Sequence, residues 1–148
     1  MGNYKIKFDM TSNVMQVGIY LFNIEIERFQ HMNITFDTGA SKTIISKDIL
    51  YLLGYDVTDC EKTRIVTASG VEFVDKVIVE KIKIGNCVLE NIEVYAHTFP
   101  EASFSLGVIG LNIISQFNWH MDFYNRELRF ERHPNTEIIN GYKEFYNH

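Results

Sequence analysis

The chain is poor in cysteine and proline, and the shortage of cysteine excludes several kinds of site. Two cysteines and two prolines occur among 148 residues. Cys60 and Cys87 alone make neither a disulfide framework nor a metal site. The five histidines lack the paired spacing that holds zinc. We therefore expect no metal and no cofactor.

Basic charge is also scarce. The 14 Lys and Arg are outnumbered by 19 Asp and Glu, which gives a formal net charge of −5. Binding to nucleic acid requires clustered basic residues, and those of this chain are scattered, so we expect no nucleic-acid partner. No apolar run is long enough to span a membrane, and the N-terminus lacks the layout of a signal peptide. We expect a cytoplasmic protein without a membrane partner.

The length and apolar content suit one modest domain. A chain of 148 residues with 46% hydrophobic residues can bury a proper core. We predict a single domain over residues 1–132. The tail, residues 133–148, is predicted either to be disordered or to dock on a partner chain through its aromatic residues.

The first third of the chain has the pattern of β-strands. Apolar residues near the N-terminus alternate with polar ones at the period of a half-buried strand. These apolar residues are Tyr4, Ile6, Phe8 and Met10. Residues 17–26 form a more continuous apolar run, which predicts a strand buried on both faces, and residues 28–31 are predicted to turn the chain back. The next strand ends at Phe36 and delivers Asp37.

A short helix is predicted after Asp37. Ser46 is a candidate N-cap, Asp48 lies in the first turn, and Gly54 is the stop signal. Its apolar stripe consists of Ile49, Leu50, Leu52 and Leu53.

Two hairpins and a second helix are predicted next. Residues 64–79 form the first hairpin, with residues 67–70 at its tip, and the second hairpin turns at Gly85-Asn86. Residues 97–105 are predicted to be a loop. Residues 111–116 are predicted as a helix too short to be stable without packing.

The strongest chemical signal is Phe36-Asp37-Thr38-Gly39-Ala40-Ser41, a single acid in a tight turn after an apolar strand. A carboxylate there is costly to desolvate, so it usually performs chemistry or is hydrogen-bonded by its own loop. Gly39 lets the backbone fold back under the carboxylate. An ordinary turn is the competing interpretation, because Asp, Thr and Gly are all common turn formers.

This segment resembles the active-site loop of the retropepsin-like aspartic proteases, the single-domain, homodimeric relatives of pepsin. Residues 106–117 resemble the family's later segment, in which two apolar residues and a glycine precede a short helix. The resemblance covers roughly residues 17–131, and the helix near Asp48 is closer to bacterial members. It implies a mainly β, closed β-barrel-like acid protease fold with one or two short helices. It also implies aspartic peptidase activity.

The resemblance assigns roles to three groups of residues. Asp37 is the expected catalytic acid, and Thr38, Gly39 and Ala40 complete the active-site loop. The remaining groups are Ala68, Ser69 and Gly70, at the tip of a mobile flap over the substrate, and Val108, Ile109 and Gly110, in a second glycine loop.

One acid amounts to half a site. Hydrolysis by this route uses two carboxylates that share a proton, and the second glycine loop carries no acid. The resemblance therefore implies a twofold homodimer in which Asp37 faces Asp37. The expected substrate is an extended peptide or protein segment. Candidates to line its apolar pockets are Val66, Val71, Val108 and Ile109. The alternative is a binding or assembly module that keeps the fold without hydrolysis.

Overall fold

A computed structural model describes residues 3–58, 62–67, 70–99 and 105–133. This part of the chain contains ten strands and two short helices. The strands are β1 (Asn3–Thr11), β2 (Val14–Asn23), β3 (Arg28–Phe36), β4 (Ile44–Ser46), β5 (Lys62–Thr67), β6 (Gly70–Ile84), β7 (Cys87–His97), β8 (Gly107–Ile109), β9 (Phe117–Asp122) and β10 (Glu127–Arg132). The helices are α1 (Lys47–Leu52) and α2 (Leu111–Ile114).

All ten strands belong to one sheet, in the order β5-β6-β7-β4-β8-β3-β2-β1-β10-β9. A second pairing of β6, with Tyr20 and Leu21 of β2, joins β2, β3, β8, β4, β7 and β6 into a closed path. Most pairs are antiparallel, whereas β3–β8 and β4–β7 are parallel. The predicted fold class, mainly β with two short helices, is confirmed.

One continuous hydrophobic core links the strands. Its fully buried members come from both ends of the chain, and the largest include Ile19, Ile34, Ile45, Ile82, Ile109 and Leu128. Near the end of β3, Trp119 packs edge-on against Phe36 and stacks on Phe130, with ring centroids 4.9 and 4.5 Å away. This aromatic packing holds the strand that leads to Asp37.

The N-terminal prediction is correct for β1 and wrong at one turn. Residues 28–31 do not turn the chain back, because they already pair with β2 as the start of β3. The turn lies at residues 24–27, where Asn23 Oδ1 accepts hydrogen bonds from the N–H groups of Glu25 and Ile26 at 2.9 and 3.2 Å. An Asx-type turn thus ends β2 at Asn23, although the apolar run continues to residue 26. Tyr20 is 39% exposed, so β2 is not buried on both faces throughout.

Helix α1 is confirmed, with two differences in detail. It begins after Ser46, but the Ser46 side chain makes no capping hydrogen bond. Leu52 is 71% exposed and so does not belong to the buried stripe. Gly54 follows the helix with φ +92°, a backbone conformation that favours glycine.

Both predicted hairpins are present and share one long strand, but the first pairs over residues 62–75 and not 64–79, because residues 76–79 pair with β7. β5 and β6 pair from Lys62↔Asp75 to Thr67↔Gly70, and we call residues 62–67 and 70–74 the arm. From Asp75 to Ile84, β6 pairs with β7 across the turn at Gly85-Asn86. The predicted flap residues Ala68 and Ser69 lie outside the described residues.

The two ends of the domain meet in one sheet region. Residues 3–7 of β1 pair with β10, and residues 8–11 pair with β2. The last two strands, β9 and β10, pair antiparallel with each other. The tail beyond His133 and most of the predicted loop, residues 100–104, lie outside the described residues. Within the described ranges, no helix is long and apolar enough to cross a membrane.

Candidate active site

Asp37 directly follows Phe36, the last residue of β3. Phe36 before it is buried, whereas Asp37, Thr38 and Gly39 are exposed. The Gly39 N–H donates to Asp37 Oδ1 at 2.8 Å, and the Ala40 N–H donates to the Asp37 carbonyl at 3.2 Å. The loop therefore hydrogen-bonds one carboxylate oxygen while the acid stays accessible.

Gly39 lies close to the carboxylate that its N–H binds. A Cβ on residue 39 would lie 3.1 Å from Asp37 Oδ1. That distance is tighter than an ordinary van der Waals contact, so a side chain at this position would require the carboxylate to shift by a few tenths of an ångström. The predicted role of Gly39 in letting the backbone fold under the acid is consistent with this contact.

The second glycine segment is joined to the Asp37 loop by backbone hydrogen bonds. The Asp37 N–H donates to the Ile109 carbonyl at 3.1 Å, and the Leu111 N–H donates to the Ala40 carbonyl at 2.8 Å. A Cβ on Gly110 would lie 2.5 Å from the Lys42 carbonyl oxygen, so only glycine lets the two segments approach this closely. The structure thus brings together Asp37, Ala40, Ile109 and Gly110.

A polar bridge behind the loop was missed by the sequence analysis. Asn112 Oδ1 accepts from the Thr43 N–H at 2.9 Å and from the Thr43 hydroxyl at 2.7 Å. The Gly110 N–H donates to the Thr43 hydroxyl oxygen at 3.1 Å, and Asn112 Nδ2 donates to the Glu93 carbonyl at 2.9 Å. Thr43 is completely buried, so the bridge holds the loop from the protein side.

No sequence signal pairs Thr43 with Asn112. The two residues are 69 positions apart, and a lone Thr after a turn is commonplace. The only available hint was Asn112 itself, a short polar side chain between Leu111 and Ile113 in an otherwise apolar segment.

The predicted pocket residues fall into different environments. Ile109 is only 1% exposed, so in the single chain it is a core residue and not a pocket residue. Val108 is half-buried, and the side chain of Val66 lies outside the described part. Val71 is 50% exposed on the arm.

The arm presents an apolar face that continues the interior face of β6. Side chains two positions apart along a strand lie on the same face. Val71 and Phe73 therefore share a face of β6 with Val77 and Val79, which are buried in the core. Phe73 is 69% exposed, whereas Val74 on the opposite face of the strand is buried. Two exposed apolar side chains on this face offer contacts to another molecule.

The clefts described on the single chain lie away from Asp37. One, of about 360 Å³, is lined by residues of β1, β9 and β10 around His120, and another, of about 400 Å³, lies around Tyr55 beside α1. Cys87 is a buried free thiol, and burial raises its pKa, which disfavours the reactive thiolate. Among the described residues, no group of three or more His, Cys, Asp or Glu is arranged to hold a metal ion.

Three comparisons with known proteins bear on this geometry. A family described as "Aspartyl protease" matches residues 23–113, a range that includes both loops. Among solved structures, a retropepsin-like aspartic protease from Rickettsia conorii superposes with a TM-score of 0.61 and 18% sequence identity, covering 87% of this chain and 90% of that one. At this identity the likeness establishes a shared retropepsin-like fold. A search of curated proteins found no match.

Proposed function

The chain belongs to the aspartyl protease family, and we propose that it is an aspartic endopeptidase that works as a homodimer. The observation that carries the proposal is the presentation of Asp37. Its exposed carboxylate directly follows a buried strand, and Oδ1 accepts a hydrogen bond from the Gly39 N–H. Backbone hydrogen bonds to the Gly110 segment stabilise the loop that carries it. That arrangement supports one precisely placed acid per chain.

The chemistry requires a second acid, and we propose that a twofold partner supplies it. The second glycine loop contains apolar residues and Gly110 and no acid that could serve as the second carboxylate. Two Asp37 carboxyls close together cannot both ionise easily, so the pair retains one proton between them. Thr38 is exposed beside the acid, and its hydroxyl is proposed to bond across the interface to the partner's loop.

In the proposed reaction, the ionised member of the pair removes a proton from a water molecule whose oxygen adds to the peptide carbonyl carbon. The protonated member donates its proton to the carbonyl oxygen. The resulting tetrahedral diol collapses with cleavage of the C–N bond, and the leaving nitrogen receives the proton taken from water. One hydroxyl of the diol returns its proton to the pair as the C=O bond re-forms. The pair ends with one proton, as it began.

The arm is proposed to act as the flap that covers the substrate. Its exposed Val71 and Phe73 provide apolar contacts, while its backbone can hydrogen-bond an extended peptide. Gly70, next to the tip, has φ +130° and open space around its Cβ position. Closure of such a hairpin would exclude water from the reacting carbonyl.

A mixed peptide library analysed by mass spectrometry tests the proposed activity. Wild-type protein should cleave, and Asp37→Asn should abolish cleavage. Asp48→Asn, which alters an exposed acid on α1, is the matched control and should cleave normally. Cleavage that persists in Asp37→Asn would contradict the assignment. Absence of cleavage by a dimer demonstrated in ultracentrifugation would favour the non-catalytic module.

Mixed dimers test whether the two acids act together. When equal amounts of wild type and Asp37→Asn exchange subunits freely, about a quarter of the dimers retain both acids, so specific activity should fall to about a quarter of that of undiluted wild type. A monomeric enzyme would retain half. The result therefore separates a shared site from an independent one.

A further inference from the structure

The arm leaves the body of the protein at Asp75. This residue pairs with Lys62 of β5 and with Ala96 of β7, so it belongs to both ladders. Residues 70–74 of β6 pair only with β5. A movement of the arm relative to the body would therefore bend the sheet next to Asp75.

Asp75 also carries a charge cluster that joins three elements. Its side chain is only 6% exposed. Lys62 Nζ lies 2.5 Å from Oδ1, and Lys47 Nζ lies 3.1 Å from Oδ2, so each carboxylate oxygen has its own ammonium group. Lys62 belongs to the arm, whereas Lys47 begins α1. The cluster thus connects the arm to the helix that follows the Asp37 loop.

An ion pair between a buried carboxylate and partly exposed ammonium groups is a weak source of stability, because desolvation of the carboxylate and solvent screening of the lysines offset most of the attraction. What it provides well is a defined geometry, since a carboxylate with a donor on each oxygen fixes both donors in direction. Among the described residues, the Asp75 cluster thus adds a side-chain link between the arm and the body to the backbone link that the β6–β7 ladder provides.

We propose that Asp75 is a positioning residue that sets the angle of the arm, and hence the placement of Val71 and Phe73 over a bound peptide. This inference depends on the proposed function for its kinetic consequence, though not for its structural one. Loss of the cluster frees the arm to sample other angles. The arm angle that is competent to bind a peptide is then populated less often, so the peptide binds less tightly.

Hydrogen exchange followed by mass spectrometry tests the structural part without any substrate. In Asp75→Asn, exchange over residues 62–67 and 70–74 should be faster by about five- to tenfold, while residues 87–97 should keep their wild-type rate. The matched control is Asp122→Asn, because Asp122 also accepts hydrogen bonds, from Asn125, but lies at the end of β9, far from the arm in the strand order. It should leave the arm unchanged. Unaltered arm exchange in Asp75→Asn, or equal acceleration everywhere, would overturn the proposal.

A variant of Lys62 covers the case in which Asp75→Asn does not fold. Lys62→Met removes the more exposed partner and leaves the Lys47 pair in place, so it should accelerate arm exchange by a smaller factor, about threefold. Lys62→Arg keeps a charged donor and should restore the wild-type rate. Equal rates in the Met and Arg variants would overturn the proposal.

Peptide kinetics test the consequence for the reaction. Asp75→Asn should raise KM by about five- to tenfold with a smaller change in kcat, because binding and not the acid pair is affected. A change in kcat alone would contradict the positioning role. If wild type cleaves nothing while the exchange results hold, the proposed hydrolysis fails and the role of Asp75 in placing the arm stands.

Discussion

The bridge between Thr43 and Asn112 leads to the sharpest prediction about stability. Replacing Asn112 by alanine removes three hydrogen bonds, two received from Thr43 and one donated to the Glu93 carbonyl. At about 1 kcal/mol for each bond, the free energy of unfolding should fall by about 3 kcal/mol. Solvent cannot replace the bonds at Thr43, because that residue is 0% exposed.

A double-mutant cycle shows whether the bridge acts as one unit. Thr43→Val removes the bond from the hydroxyl to Asn112 and the bond that the hydroxyl oxygen accepts from Gly110, for an expected loss of about 2 kcal/mol. The two variants share one of these bonds. The double variant should therefore lose about 1 kcal/mol less than the sum of the single losses.

Urea denaturation at one fixed protein concentration is the appropriate assay, since association would add its own concentration-dependent term. Asn118→Ala, at an exposed asparagine on β9, is the matched control and should change the free energy of unfolding by less than about 0.5 kcal/mol. A loss below about 1 kcal/mol in Asn112→Ala, or strict additivity in the cycle, would refute the reasoning.

Three further predictions concern single positions. Gly110→Ala would place a Cβ 2.5 Å from a backbone carbonyl oxygen, so urea denaturation should show a loss of about 2–3 kcal/mol, and a neutral effect would contradict the close approach. The hydrogen bond from Lys62 and the contact with Lys47 hold the pKa of Asp75 below its ordinary value of 3.8. Its carboxylate therefore stabilises the fold above that value and loses this effect as the pH falls through the lowered pKa. In acid titrations, the difference in free energy of unfolding between wild type and Asp75→Asn should narrow below about pH 4. A difference that stays constant with pH would contradict the lowered pKa. Ala40→Ser adds a hydroxyl that can donate to the carboxylate of the acid pair, so the acid limb of the pH dependence of kcat/KM should move to lower pH, and an unmoved limb would count against this contact.

The local features of this protein could be predicted from its sequence. The alternation in β1, the apolar strand that ends at Phe36, the two hairpins and the short helices all follow from neighbouring residues. The acid of the candidate site was also visible, because Asp37 and Gly39 lie in one short segment of the sequence, two positions apart. The prediction was wrong at residues 28–31, which were expected to form the turn between β2 and β3. The Asx-type turn at Asn23 ends β2 earlier, so residues 28–31 already belong to β3.

The contacts between distant segments depended on the tertiary structure. Gly110 approaches the Asp37 loop because β8 pairs in parallel with β3, and nothing in either segment alone specifies that neighbour. Likewise, the burial of Asp75 between Lys47 and Lys62 arises only when α1, β5 and β6 converge. Sequence patterns report the environment along one strand or helix, because a side chain's nearest neighbours in the chain set its local conformation. Which residues from elsewhere complete a site is decided by how the strands pair and pack.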